Sequence, residues 1–153
     1  ENNEKELQST LIISISGGAI RIGGFSRFEL RRTLQSLEIK DGERFDMLFL
    51  LDPTGLSWYM YDSNGTFNGW DEVGQNLQNV AKYYKNIIIL GNCMGATAAL
   101  IFTKYIVEME NCNCVSIMFN PQISPSTHQN KKYGYGAKLL PADKRKLFLS
   151  QSR

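Results

Sequence analysis

The chain has a single histidine, His128, and that scarcity excludes more chemistry than any motif in it suggests. No histidine pair exists to hold a catalytic metal, and Cys93, Cys112 and Cys114 do not complete a zinc set with His128. No metal and no cofactor is therefore expected. Cys112 and Cys114 lie too close together for an ordinary structural bridge, so the odd set of three reads as free thiols in a reducing, intracellular compartment. Charge of one sign is lacking too. Seventeen Lys+Arg stand against 15 Asp+Glu, a net charge of +2, with no basic stripe interleaved with aromatics, so no nucleic-acid partner is expected. A signal-peptide core is absent, as are internal repeats and low-complexity stretches. The sequence starts at Glu1 without methionine, which leaves an organellar targeting segment as an open expectation.

What is present suits one domain with a real core: 153 residues, 42% hydrophobic and 21% charged. Residues 1–9 form a polar lead-in, 10–123 the domain, and 124–153 a basic C-terminal segment. Within that segment, Lys131, Lys132, Lys138, Lys144, Arg145 and Lys146 read as a solvated face. Four short apolar runs read as buried strands: "LIISIS" (11–16), "FDMLFLLDP" (45–53), "NIIILG" (86–91) and "CVSIMFNP" (114–121). Between them lie helical patterns. From Ser26, apolar residues recur at Phe28, Leu30, Leu34 and Leu37, with Ser26 and Glu29 spaced as a capping box. Residues 71–84 place Val73, Leu77, Val80, Ala81 and Tyr84 on one face, and 94–109 is the third helix. Asn64-Gly65-Thr66 matches a glycosylation sequon, but Asn-Gly is also a strong turn signal and the turn reading is favoured.

The order is β-α-β-α-β-α-β, with strands that are continuous apolar runs rather than alternating ones. Parallel strands covered on both faces have this pattern. An α/β fold with a mostly parallel sheet of about four strands follows. All strand C-termini then share one edge, where such sheets place their sites. One rival needs excluding, since 87–107 holds only Asn92 and Lys104 as strongly polar residues and is nearly long enough to span a membrane. A spanning helix would contain Gly91, Asn92 and Gly95 and leave the neighbouring strands without a partner. No transmembrane segment is expected.

Two glycine-rich turns follow strands: "SGGAIRIGG" (16–24) and "GNCMG" (91–95). The first has Gly18 and Gly23 at phosphate-loop spacing, but Gly24-Phe25 stands where Lys-Ser/Thr is needed, and no G-x-G-x-x-G occurs. Nucleotide binding is not supported. The second, G-x-C-x-G, is the cysteine form of the nucleophile elbow, which thrusts a side chain from a sharp strand-to-helix turn. A helix beginning behind Cys93 sets the positive end of its dipole against the sulfur. The backbone N–H groups of Gly18 and Met94 would make an oxyanion hole. The bland alternative is that Cys93 is a small packing residue.

Ser16-Gly17-Gly18, Phe28-Glu29, Asp52-Pro53, Trp58-Tyr59, Gly91-Asn92-Cys93-Met94-Gly95 and Phe119-Asn120-Pro121-Gln122 occur in that order over about 110 residues. In this series the chain resembles the α/β-hydrolase core from its third to its sixth strand. More narrowly, it is similar to the hydrolase-like domains associated with bacterial polysaccharide-biosynthesis proteins and glycosyltransferases, with Cys93 where the nucleophile serine stands. The resemblance implies a truncated α/β-hydrolase-like core. Its acid and histidine come from loops after later strands, and this sequence offers no convincing seventh or eighth strand.

Two functions are expected from different classes. The favoured one is a hydrolase-derived binding or accessory subunit of a larger assembly, lacking a complete triad and docking a protein partner through Trp58, Tyr59 and Trp70. The alternative is a cysteine hydrolase or acyltransferase acting on an ester or thioester. Cys93 would be its nucleophile, His128 its base, and Asp52 or Asp62 would orient the histidine.

Overall fold

The computed structural model describes residues 8–18, 21–22, 25–26, 28–41, 45–52, 59, 64, 66, 68–110 and 112–121. Four parallel strands form one sheet: β1 (Gln8–Ile15), β4 (Asp46–Leu50), β5 (Tyr84–Asn92) and β6 (Asn113–Phe119), in the order β4-β1-β5-β6. A small antiparallel pair, β2 (Arg21–Ile22) and β3 (Phe25–Ser26), follows the end of β1. Among the described residues, three helices flank the sheet: α1 (Arg31–Asp41), α2 (Gly69–Ala81) and α3 (Met94–Val107). The fold is α/β, as the continuous apolar runs predict.

Both central strands, β1 and β5, are paired on each side, and that explains their composition. Ile13 pairs with Leu48 on one side and with Ile89 on the other. Alternate residues then face opposite helical layers. Leu11, Ile13, Ile15, Ile87 and Ile89 pack with Leu77, Ala81, Ala98, Phe102 and Ile106 from α2 and α3. Ile12 and Leu90 point the other way, toward Leu34 of α1. Residues 87–107 are thus a strand, a turn at Cys93 and a helix. Among the described residues, no helix is long and apolar enough to cross a membrane.

Local details depart from the sequence reading in three places. The capping box at Ser26 and Glu29 does not form: Ser26 lies in β3, and α1 starts only at Arg31. The reason is that side chains at the end of β1 engage the Glu29 backbone. Ser14 Oγ donates to its carbonyl at 3.0 Å, and its N–H reaches Ser16 Oγ at 3.4 Å. Leu30 then turns the chain at a positive φ of 63° before the helix can begin. Second, α2 ends at Ala81, so Tyr84 opens β5 instead of closing the helix face, and Val80 is exposed. The inner face is Trp70, Gly74, Leu77 and Ala81, with Gly74 packed on the Tyr105 ring.

The third departure concerns the aromatic docking surface. Tyr59 and Trp70 are buried members of the main core, not surface residues. Tyr59 meets Phe102 edge-on, with ring centroids 6.1 Å apart, and its hydroxyl donates to the Ser16 carbonyl at 2.9 Å. Trp58, Asp62, His128 and the segment 124–153 lie outside the described residues.

Candidate functional site

Crossover direction decides where a ligand has room in such a sheet. From β1 the chain runs by α1 to β4 on one side; from β5 it runs by α3 to β6 on the other. The two helices cover opposite faces. Hence β1 and β5 are neighbours whose connections diverge, and their C-terminal ends mark the topological switch point, the position at which open α/β sheets bind ligands. Cys93 sits there, immediately after β5, opposite Ser16-Gly17-Gly18 at the end of β1.

The turn at Cys93 is sharp. Its backbone has φ 53° and ψ −117°, a conformation that glycine adopts freely and an L-residue adopts only under strain. Such strain costs about 1–3 kcal/mol. The burial of one side chain such as Ile13 offsets it, at roughly 1.5–3 kcal/mol. The bond pattern around Cys93 fixes the geometry. Its N–H donates to the Phe119 carbonyl at 2.9 Å, and its own carbonyl accepts from Ala96 at 3.1 Å and Thr97 at 3.3 Å, which opens α3. Cys93 is half-buried, and none of the three cysteines is in a disulfide.

The bracketing glycines are steric requirements. A Cβ on Gly91 would overlap the Gly95 carbonyl and sit 2.7 Å from Ala96 Cα. One on Gly95 would overlap the Ile15 carbonyl oxygen and approach Ser16 C at 2.8 Å. The helix therefore crosses the sheet at a distance only glycine permits, and this crossing sets the Cys93 turn at the C-terminal edge of β5. Gly17 lies on the far side, where a Cβ would be 3.3 Å from Cys93 Cβ.

Of the two oxyanion donors expected, Met94 is the first residue of α3, where backbone N–H groups have no acceptor within the helix. Gly18 follows Gly17, whose packing on Cys93 brings this loop beside the turn. The Gly17 N–H itself is engaged, donating to Glu29 Oε2 at 3.0 Å. Glu29 Oε1 accepts from the Asn92 side-chain amide at 3.4 Å. Sequence reasoning missed this carboxylate by assigning it to a helix cap. The signal available was a lone acidic side chain set between Phe28 and Leu30, both facing inward in the pattern.

Asp52 at the end of β4 is fully buried and accepts the Tyr59 N–H at 3.3 Å. It braces the chain beneath the edge. Burial, and then the neighbouring Asp52 charge, push the Tyr59 hydroxyl well above its ordinary range. Burial also pushes the thiols of Cys112 and Cys114 up, and Cys112 adds to the effect at Cys114. Among the described residues, no group of three or more His, Cys, Asp or Glu is placed to hold a metal ion. Comparison with family models, curated proteins and solved structures returns no match.

Proposed function

We propose that the domain is of the α/β-hydrolase type and that Cys93 is the nucleophile of acyl transfer or hydrolysis on an ester or thioester. The observation that carries this reading is the strained backbone of Cys93 between two obligatory glycines at the switch point. A packing role would be filled by glycine without strain, so the retained side chain is the reason for the cost.

In the reaction, Cys93 Sγ attacks the carbonyl carbon as its proton passes to a base. The carbon–sulfur bond forms, and negative charge develops on the carbonyl oxygen within reach of the Gly18 and Met94 N–H groups. Collapse breaks the bond to the leaving alkoxide or thiolate, which takes a proton, and leaves an acyl-Cys93. Water or an acceptor hydroxyl then attacks this thioester and frees the thiol. His128 is the residue proposed as base.

Mass spectrometry after exposure to activated esters and acyl thioesters tests the reading. Acyl adducts should accumulate at Cys93, and Cys93→Ala should abolish both adduct and turnover. Turnover unchanged in that variant would sink it. A second reading, partner binding as an accessory subunit, is favoured by a different observation. Val115, Ile117 and Phe119 form an exposed apolar stripe on one face of β6, beside Ile88 and Leu90 of β5. Parallel sheets ordinarily cover both faces.

A further inference from the structure

We infer that Glu29 is a positioning residue for the Cys93 elbow, acting by tying the loop after β1 to the end of β5. The inference rests on the acyl-transfer reading of Cys93. Four hydrogen bonds converge on this one residue. Ser14 of β1 and Ser16 just beyond its end hold its backbone. Its carboxylate takes the Gly17 N–H on one oxygen and the Asn92 amide on the other. Asn92 precedes Cys93 in the chain and Gly17 packs against both from the end of β1, with the Asn92 carbonyl 2.8 Å from where a Gly17 Cβ would be. Helix α1 contributes nothing to this clamp, because it begins only at Arg31.

Two consequences follow for the chemistry. With the Gly17 N–H engaged by an anion, Gly18 and Met94 are left as the backbone donors for a developing oxyanion. The clamp also holds Gly17 against the Cys93 side chain, where a Gly17 Cβ would lie 3.3 Å from Cys93 Cβ, and so fixes the donor loop beside the turn. Misplacing such a donor by about 1 Å costs on the order of a hundredfold in rate. Releasing the clamp therefore has opposite effects on two reactions of the same sulfur. Turnover falls because the donors lose register; simple alkylation rises because the Gly17 backbone no longer packs on the Cys93 side chain.

The pairing pattern supplies a test by exchange. Two donors face the two oxygens of Glu29, so Glu29→Gln offers one acceptor and one misdirected N–H₂ group. Asn92→Asp alone sets two carboxylates against each other. The double variant Glu29→Gln/Asn92→Asp restores complementarity, with the amide nitrogen at position 29 donating to the carboxylate at position 92.

The experiment follows amide exchange at Gly17, iodoacetamide labelling of each cysteine, and ester turnover, in the full chain and in the three variants. Glu29→Gln is expected to speed Gly17 exchange and Cys93 labelling about fivefold to tenfold and leave Cys112 and Cys114 unchanged. It should lower kcat about tenfold to a hundredfold with little change in KM. The double variant should recover most of each effect. Equal acceleration at all three cysteines would mean general loosening and overturn the inference. So would unchanged turnover with a released Gly17. If the wild-type chain shows no acyl-Cys93 at all, the acyl-transfer reading fails. The clamp is then decided by Gly17 exchange and Cys93 labelling, where no change in either refutes it.

Discussion

Gly95 lies against the carbonyl oxygen of Ile15 so closely that a single methyl group has no room between helix and sheet. Contact is with backbone on both sides, so no side-chain rotation can relieve it. Gly95→Ala should therefore cost about 3 kcal/mol or more, at the upper end of overpacking penalties. Gly91→Ala should cost a similar amount, since Ala96 Cα and the Gly95 carbonyl are backbone too. Urea unfolding of both variants checks this. A loss under about 1 kcal/mol would show that the crossing can open.

Cys93 offers a test of strain separated from chemistry. Cys93→Gly removes roughly 1–3 kcal/mol of backbone strain and returns about 0.5–1 kcal/mol through greater freedom of the unfolded chain. The glycine variant should be more stable than Cys93→Ala by about 1 kcal/mol in urea unfolding, and both should lose labelling at position 93. Equal stabilities would mean that the turn is held without strain.

Neutral-pH alkylation should distinguish the thiols in the wild-type chain. Cys112 and Cys114 are pushed up by burial, so their thiolate fractions are small. Brief iodoacetamide treatment at pH 7 followed by peptide mapping should find Cys93 modified first. Modification of Cys112 or Cys114 ahead of it would contradict the reading of Cys93 as the reactive thiol.

Alkaline stability follows from three tyrosines whose ordinary pKa is 10.0. Tyr84 is pushed up to about 12, first by its hydrogen bond to Asp46 at 2.7 Å. Tyr59 is pushed up mainly by burial, and so is Tyr105, which also donates to Asp71. Above pH 10 these groups lose protons in the unfolded chain while the folded chain keeps them. The unfolded state then binds fewer protons, so stability falls as pH rises. The contribution is whole below pH 10 and, for Tyr84, is lost by about pH 12. Thermal melts should decline over this window, with ionisation followed at 295 nm lagging that of free tyrosine.

The exposed stripe on β6 should promote association of the chain with itself. Val115→Thr with Ile117→Thr keeps β-branched side chains and should change stability by only about 0.5 kcal/mol per site. Sedimentation should show the double variant shifted toward monomer. An unchanged distribution would remove this face from any account of self-association.

The sheet and the turn at Cys93 were legible because their signals are local. Four continuous runs such as Ile87–Leu90 fix strands, and two glycines around Cys93 fix a turn between strand and helix. Trp70 misled because aromatics in a turn-rich stretch look alike before packing chooses among them; it enters α2 and turns inward. Tyr59 is buried by contacts with Ser16 and Phe102, each about 43 residues away along the chain. Glu29 is the instructive case. Its local spacing suits a helix cap, yet its partners lie 12 and 63 positions away at Gly17 and Asn92. Tertiary contacts overrode a weak local preference, and no pattern within a window of neighbours carries that information.

The bond from the Cys93 N–H to the Phe119 carbonyl hangs the elbow on β6, the outermost strand among the described residues. An outer strand presents a backbone edge open to pairing. Any strand that pairs there and displaces the Phe119 carbonyl also displaces the peptide carrying the sulfur. On the proposed acyl-transfer chemistry, linkage would make the traffic reciprocal: acylation that resets the turn would change the affinity of the edge by the same factor. The margin of the sheet and the turn at Cys93 are thus joined through a single peptide hydrogen.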